Sequence, residues 1–248
     1  MSNVEARVFK PNEKAPANIV GVANITIKDA IAIPSVSIVR ADGKDGSYIF
    51  ASLPQRCVKG KWENIVNVSE TLRKEINAAV RKEFDDQKAL DFPGYKNANR
   101  SEKRATPDIA VNANVFVLRN ENSNIKGIAK FTIDQDITVN NCTVMSYNDP
   151  SKGLFVNMPH VTDKDGNAVQ TKNGDRIDVV MPVTAEARAL IVNAILSDYD
   201  KNKDRTFTKD DFKSKIADEK AGDAKAAGDA PEKPEKDAKA KKDGDRAA

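Results

Sequence analysis

Apolar and polar residues alternate along two stretches of this chain, which is typical of antiparallel strands with one face in water. In the first stretch Ala23, Ile25 and Ile27 alternate with polar neighbours. The alternation resumes at Ile31 after a turn-like Lys-Asp pair, and a turn-rich segment at 41–47 leads into a further strand. The pattern therefore predicts sheets that are built from short hairpins.

Each stretch of predicted strands is followed by a segment with a helical period. Ser69 and Thr184 are the predicted N-caps, because a hydroxyl can accept a hydrogen bond from the free amides of the first turn. The apolar residues of each helix fall on one face, which a sheet can cover. These faces are Leu72, Ile76, Ala79 and Val80 in the first helix, and Leu190, Ile191, Ala194 and Ile195 in the second.

The two stretches repeat one another. Residues 19–54 read IVGVANITIKDAIAIPSVSIVRADGKDGSYIFASLP, and residues 125–159 read IKGIAKFTIDQDITVNNCTVMSYNDPSKGLFVNMP. After a slip of one residue, Pro54 aligns with Pro159. A repeat of this length indicates a duplicated domain and not the unit of a solenoid. Two copies in one chain can do what a dimer of single copies does.

The second copy combines several motifs. The strand GLFVNMP at 153–159 is followed by a polar hairpin, TDKDGN, at 162–167. The segment PVTAEAR at 182–188 then leads into a helix that ends near Tyr199. This combination resembles the SpoVG family of small bacterial septation and sporulation regulators. The first copy keeps the same frame, with YIFASLP at 48–54.

The resemblance implies an α+β fold with two SpoVG-like domains, each an antiparallel sheet with a C-terminal helix packed on it. We expect the two domains to pair within the chain as an intramolecular pseudo-dimer. After Ile216 no large apolar residue remains, so this end of the chain is expected to be disordered. The predicted segments are copy 1 at 1–84, a linker at 85–111, copy 2 at 112–199, a loop and short helix at 200–216, and a charged tail at 217–248.

The formal net charge is only +3, but the charge is unevenly distributed. Residues 1–111 hold 18 Lys and Arg against 14 Asp and Glu, whereas residues 112–199 hold 8 against 10. The first copy is therefore the expected place for contacts with phosphates. The chain has neither a signal-peptide pattern nor an apolar run long enough for a membrane span, so we expect a cytoplasmic protein without membrane contact.

The two cysteines fit a reducing compartment. Cys57 and Cys142 do not occupy matching positions of the repeat, which argues against a disulfide framework. Cys142 aligns with Val36 and is predicted to be a small buried residue.

The SpoVG resemblance also implies binding of DNA or RNA and regulation of gene expression, in septation, cell-division or sporulation-type programmes. In that family, basic residues after the GLFVxMP strand and on the C-terminal helix are the usual candidates for contacts with nucleic acid. The matching residues here are Arg56, Lys59 and Lys61 after the first-copy strand, Arg73, Lys74, Arg81 and Lys82 on the first helix, and Arg188 on the second.

Some of these residues have a second interpretation. Trp62 lies among the basic residues and either stacks on bases or packs into the sheet, as its alignment with Ile177 favours. Arg73 and Arg188, which align, either contact phosphates or form ion pairs on the helix surface. The second copy has His160 and two uncharged residues in place of a basic run, so we expect it to act mainly as the pairing partner.

A segment after the second helix, DKNKDRTFTKDDF at 200–212, resembles an EF-hand calcium loop. Arg205 stands where the sharp turn of such a loop favours Gly, and Asp where a longer Glu normally chelates the ion. A polar cap that leads into a short helix is the alternative interpretation. Calcium is the one candidate cofactor, and none is expected to be required. The candidate ligands are Asp200, Asn202, Asp204, Thr206 and Asp211.

No motif in the chain indicates catalysis. It contains no Gly-rich phosphate loop, no zinc-ligand spacing and no nucleophile elbow, and its single histidine has no evident partner. The chain is therefore predicted not to be an enzyme. A protein-interaction or scaffold module with the same fold is the rival hypothesis. The sequence leaves open the choice between DNA and RNA and any further oligomerisation.

Overall fold

The N-terminal half of the chain begins with a meander of four antiparallel strands in the computed structural model. Ala23, Ile25 and Ile27 are each at most 1% exposed, as the alternating pattern predicts. The prediction that the alternate residues of this strand face water is wrong for Asn24, which is 3% exposed and accepts a hydrogen bond from the Ser35 amide at 2.9 Å. The strands are β1 (Val4–Phe9), β2 (Ile19–Ile27), β3 (Ile31–Gly43) and β4 (Gly46–Ser52), and each pairs with the next. The structure describes residues 4–44, 46–58, 60–85, 106–119, 122–163, 167–171 and 173–204.

The described residues all lie in one unit, Met1–Arg205. The charged tail, two of the candidate calcium ligands and most of the predicted linker lie outside the described residues. Residues 85 and 106–111 of that linker are described, and Pro107 among them is buried.

Three short strands and a helix complete the N-terminal half, residues 4–85. The strands are β5 (Gln55–Val58), β6 (Lys61–Asn64) and β7 (Val66–Val68), and the helix is α1 (Glu70–Asp85). The backbone amide of Leu72 donates to Ser69 Oγ at 3.2 Å, which confirms the predicted N-cap. Leu72, Ile76 and Val80 are buried as predicted. This face of α1 packs on β1, β2 and β4.

The C-terminal half, residues 106–204, repeats this order of elements. Its strands are β8 (Val111–Val117), β9 (Ile125–Ile133), β10 (Ile137–Ser146), β11 (Leu154–Asn157) and β12 (Met181–Pro182), with a short 3-10 helix at Pro150–Lys152 and the helix α2 (Ala185–Asn202) at the end. Strands β8 to β11 form an antiparallel sheet in the same way as β1 to β4. The α+β class and the antiparallel sheets are as predicted.

The helix α2 packs on β8, β9 and β11. Thr184 Oγ1 accepts a hydrogen bond from the Ala187 amide at 3.0 Å, which confirms the predicted N-cap. The buried residues of α2 are Ala187, Ile191 and Ile195, one turn apart. The prediction that Leu190 belongs to this face is wrong, because Leu190 lies about 100° around the helix from Ile191 and is 39% exposed.

The two halves share their irregular backbone positions. Lys28 and Asp29 have φ values of 53° and 52°, and Asp134 and Gln135 have values of 49° and 62°. Two consecutive positive φ values are typical of type I′ hairpin turns. Ser35 and Asn141 also have positive φ values, at β-bulges where the register of β3 and β10 shifts. The repeat seen in the sequence therefore corresponds to equivalent turns and bulges.

Each half gives one strand to the sheet of the other. Strand β7 pairs with β10, so that Val68 lies opposite Ile137. Strand β12 pairs with β3, so that Pro182 lies opposite Ile31. Both strands directly precede the helix of their own half, and each helix then packs on its own sheet. One cluster of buried apolar residues consequently contains side chains of both halves.

The two type I′ turns meet across the junction of the halves. Lys28 Nζ lies 2.9 Å from Asp134 Oδ2 and 2.8 Å from Asp136 Oδ2. Asp136 also accepts a hydrogen bond from Ser69 Oγ at 3.1 Å, which connects it to the start of α1. Burial lowers the pKa of Lys28, but the two carboxylates raise this pKa by more, so the net shift is upward. The ammonium group therefore stays charged at this junction.

Candidate nucleic-acid interface

Strands β5 and β6 form a two-stranded hairpin outside the two large sheets. We call residues 55–64 the first arm. Its register places Arg56 opposite Glu63 and Val58 opposite Lys61. The Arg56 guanidinium forms a salt bridge of 2.9 Å with Glu63, whereas the Lys61 side chain is exposed. Lys59 lies outside the described residues.

The base of the first arm contacts the C-terminal half. Asn140, at the bulge of β10, donates from its backbone amide to the Ile65 carbonyl at 2.8 Å. The Asn140 side-chain amide donates to the Asn64 carbonyl at 3.1 Å. The first arm therefore projects from the place where the chain crosses between the halves, and its orientation depends on both of them.

Trp62 is 70% exposed on the first arm, so the prediction that it packs into the sheet is wrong. The alignment behind that prediction is displaced by one residue. The Ile65 amide donates to the Pro54 carbonyl at 3.0 Å, and the Val179 amide donates to the Pro159 carbonyl at 2.8 Å. Because Ile65 thus matches Val179, Trp62 matches the charged Arg176 and not the buried Ile177.

Trp62 lies on the opposite face of the first arm from Arg56 and Lys61. Trp62 is directly opposite Cys57 in the register. Arg56 directly precedes Cys57 on β5, and Lys61 directly precedes Trp62 on β6. Side chains of successive strand residues point to opposite faces. The ring of Trp62 therefore points to one side of the hairpin, and the side chains of Arg56 and Lys61 point to the other.

The C-terminal half has an equivalent but more irregular segment, residues 160–178, which we call the second arm. Bridges join His160 to Asp178, Thr162 to Ala168 and Gln170 to Arg176. The predicted polar hairpin lies within it, since the Asp163 amide donates to the Asn167 carbonyl at 2.9 Å. The second arm contains three basic and four acidic residues, whereas the first arm contains three basic and one acidic residue.

A carboxylate lies next to the basic residues of the second arm. Burial raises the pKa of Asp178, and the nearby side chains of Arg188, His160 and Arg176 offset only part of this shift. Arg188 on α2 therefore acts on Asp178, although its side chain is exposed.

The basic residues of α1 differ in their surroundings. Arg73, Lys74 and Arg81 are all exposed. Lys74 forms a salt bridge with Glu70 one turn earlier in the helix. Arg81 Nε donates to the Ile49 carbonyl at the edge of β4, at 3.2 Å. The candidate residues thus occupy the first arm and α1, with Arg188 on the second helix.

Two of the candidate calcium ligands lie in the last turn of α2, which continues beyond the predicted end near Tyr199. Asp200 Oδ1 is 3.1 Å from Lys203 Nζ, and the Asn202 side-chain amide donates to the Asp198 carbonyl at 2.8 Å. Among the described residues no group of three or more His, Cys, Asp and Glu side chains is placed to hold a metal ion. Thr206 and Asp211 lie outside the described residues, so calcium binding stays a prediction.

The two cysteines are expected to react with thiol reagents at very different rates. Cys142 is fully buried, as predicted, and burial raises the pKa of its thiol to about 12. Cys57 lies on the first arm and is partly exposed. Because the thiolate is the reactive form, Cys57 should be labelled in the native protein at pH 8 while Cys142 is labelled only after unfolding. Mass spectrometry of labelled peptides measures this, and rapid native labelling of Cys142 would contradict the described packing.

The contact of Lys28 with Asp134 and Asp136 was not predicted from the sequence. The repeat did place Lys28 and Asp134 at equivalent positions. Their opposite charges were the feature of the sequence from which this contact could have been predicted. A residue that lies on the two-fold axis of a symmetric dimer meets its own copy. Opposite charges at equivalent positions therefore indicate that the two halves contact one another at this point.

Neither α1 nor α2, the helices of the described residues, has the length and apolar character of a helix that crosses a membrane.

The comparisons with known proteins agree with the motifs. The SpoVG family model matches residues 110–201. A protein of Symbiobacterium thermophilum is 40% identical over 76 residues, which make up 31% of this chain and 46% of that relative. Proteins of Brevibacillus brevis and Oceanobacillus iheyensis are each 30% identical over 82 residues, or 33% of this chain and 75% and 74% of those relatives. All three carry the name "Putative septation protein SpoVG".

These matches confirm the resemblance that was predicted from the sequence. The family model covers the C-terminal half, and the N-terminal half shares the order of elements, the turns and the bulges of that half. The chain spans less than half of the length of the Symbiobacterium relative. No solved structure matches the chain.

Proposed function

The chain belongs to the SpoVG family, and from this premise we propose that it is a nucleic-acid-binding regulatory protein whose two halves take the place of two subunits. The observation that carries the proposal is the reciprocal pairing of β7 with β10 and of β12 with β3. This pairing gives each half a strand that a separate subunit would otherwise supply. The names of the relatives refer to septation, so we propose a role in septation or in a sporulation-type programme. We propose no catalytic activity.

The first arm and the exposed basic face of α1 are the proposed contacts with DNA or RNA. The first arm contains the excess of positive charge, and Lys61 and Trp62 are among its exposed side chains. Lysine and arginine neutralise phosphates and release counterions, so binding should weaken steeply with salt. The less basic second arm supports the hypothesis that the two halves have specialised, with the C-terminal half acting mainly as the pairing partner.

Reversing the charge of the first arm tests this proposal. With Arg56, Lys59 and Lys61 all replaced by Glu, the affinity for a short DNA duplex or RNA should fall about tenfold or more. The slope of log affinity against log salt should become shallower by about two to three, since each of the three lost phosphate contacts lowers it by about 0.7–0.9. Fluorescence anisotropy at several salt concentrations measures both quantities, and light scattering gives the mass of the bound protein.

A matched control separates the site from the net charge. Lys14, Arg40 and Lys44 are exposed, belong to the same half and have the same two residue types. Their replacement by Glu changes the net charge equally, and the affinity should fall far less. Equal losses in both variants would exclude the first arm as the site. Binding that does not respond to salt would favour the rival function, a protein-interaction or scaffold module.

A further inference from the structure

The sheet of the C-terminal half has one open face, to judge by the exposure of its side chains in the part of the chain that the structure describes. Its inner face packs on α2, with Val115, Ala129 and Val144 buried. On the opposite face the register forms a row across all four strands, because residues opposite one another share a face. The row consists of Phe116 on β8, Ile128 on β9, Thr143 on β10 and Asn157 on β11. None of its members is buried, and Phe116 and Ile128 are 36% and 45% exposed.

A pair of aromatic rings lies beside this row. Phe155 on β11 is opposite Met145 on β10 and is therefore on the same face as Asn157, two residues away. The ring of Tyr147, just after β10, lies 4.5 Å from the ring of Phe155, and Tyr147 is 43% exposed. With strands about 4.8 Å apart, Phe116 on β8 and the pair at β11 lie about 14 Å from each other. Apolar contact area is thus available at both edges of the open face.

The charged residues of the strands that form this face have one sign. Strands β8, β9, β10 and β11 contain no Asp or Glu, although the C-terminal half as a whole is slightly acidic. Their charged residues are Lys126 and Lys130, which alternate with Ile128 on the open face of β9. The other side chains that point outward on these strands are mostly Asn and Thr, which donate and accept hydrogen bonds without adding charge.

We propose that this face, formed by Phe116, Lys126, Ile128, Lys130, Tyr147 and Phe155, binds single-stranded nucleic acid. The inference rests on the proposed nucleic-acid binding and adds a second site with its own substrate class. Aromatic rings on an open sheet stack on unpaired bases, lysines contact the backbone, and amide and hydroxyl groups reach base edges. A duplex keeps its bases stacked and paired, so it cannot present them to these rings. The occupant is therefore a single strand.

The equivalent face of the N-terminal sheet is less exposed, and its strands carry acidic residues. Asn24 and Ala32, at the positions of Lys130 and Thr138, are 3% and 1% exposed. Its strands also contain acidic residues, with Glu5 on β1 and Asp42 on β3. The site is accordingly assigned to the C-terminal sheet alone.

Two matched tyrosines allow a direct test in the full-length chain. Tyr147 on the proposed face and Tyr48 on the N-terminal sheet are 43% and 44% exposed, and each has a phenylalanine ring beside it. Tyr147→Ala should weaken the binding of labelled oligo(dT) and oligo(rU) about tenfold, the effect expected for loss of one stacked base. Tyr48→Ala should leave this binding within about twofold of wild type. Circular dichroism checks that both variants are folded.

The outcomes separate this inference from the proposed function. Duplex affinity should be the same in Tyr147→Ala and in the wild type. Cross-links from bromouridine in the single strand should map to the peptides that contain Tyr147 and Phe155. If Tyr147→Ala binds single strands as well as wild type, or if Tyr48→Ala loses as much affinity, the inference is wrong even if the first arm still binds duplex. If neither single strands nor duplex bind the wild-type protein, the proposed function fails as well.

Discussion

Separated into fragments 1–90 and 100–204, the two halves are expected to be unfolded alone and to fold when mixed. The N-terminal fragment lacks β12, the strand that pairs with Ile31 and Ala32 at the start of β3. The C-terminal fragment lacks β7, the strand that lies against Ile137–Val139 of β10. Val66, the first residue of β7, and Val180, directly before β12, are 1% and 0% exposed. Exposing such side chains costs about 1.5–3 kcal/mol each, against a total stability of about 5–15 kcal/mol for a typical protein.

Circular dichroism and size-exclusion chromatography of each fragment and of an equimolar mixture test this expectation. The mixture should recover the spectrum of the intact chain and elute as a complex of one N-terminal and one C-terminal fragment. A fragment that folds as a stable monomer would contradict the dependence of each sheet on the other half. The intact chain with a protease site in the segment 86–105 is the control, because cleavage there should leave the associated halves folded.

Reversal of the charge at Lys28 should be the most damaging single change at the junction. Lys28→Asp would place three carboxylates together where the lysine side chain is 15% exposed and the partner carboxylates are 27% and 38% exposed. We expect the free energy of unfolding to fall by about 2–4 kcal/mol, since an unpaired charge in a partly buried site is costly. The backbone itself should tolerate Asp, which adopts the positive φ of this turn more readily than Lys.

A charge swap makes the test specific. Lys28→Asp combined with Asp134→Lys should recover about half of the lost stability by restoring an opposite pair. Recovery should be incomplete because Asp134 Oδ1 also accepts a hydrogen bond from the Ala110 amide at 2.7 Å. Lys14→Asp, at an exposed loop position, is the control and should change stability by less than about 0.5 kcal/mol. Denaturant unfolding measures all four proteins, and no recovery in the swap would exclude a direct interaction.

The same contact predicts a pH dependence. Burial raises the pKa of Asp134, but Lys28 and the Ala110 amide lower it by more, so the net shift is downward. The pKa of Lys28 is raised. The pair therefore stabilises the fold between the ordinary pKa values of Asp and Lys. Its contribution is lost as pH falls through the lowered value of Asp134 or rises through the raised value of Lys28. The difference in the free energy of unfolding between wild type and Lys28→Asp should accordingly become smaller in acid, as the carboxylates become protonated.

The elements that the sequence predicts well are those with a clear period or a clear local signal. Alternation of Ala23, Ile25 and Ile27 identified β2, and the hydroxyl residues Ser69 and Thr184 identified the starts of the two helices. The repeat identified equivalent turns in the two halves. In each case the deciding interaction joins residues that are close in the sequence or belong to one regular element.

The features that the sequence did not predict depend on contacts between distant segments. The exchanged strands β7 and β12 have three and two residues, too few to display a period. The exposure of Trp62 was missed because an alignment that is displaced by one residue matches it with a buried isoleucine. Tyr147 and Phe155 are separated by a turn and a 3-10 helix, so only the folded chain brings their rings together. The spacing of residues along the sequence does not show which distant segments come into contact.

The exchange of strands also determines when the protein can fold during its synthesis. Strand β3 is made early, but its partner β12 follows about 150 residues later, which corresponds to roughly 8–30 s of translation at 5–20 residues per second. During this interval the Ile31 edge of β3 has no strand beside it, and an unpaired apolar edge attracts strands of other chains. Crowded polysomes would place such edges close to one another. A ribosome-associated chaperone that binds extended apolar segments would therefore benefit the first half of this chain more than the second.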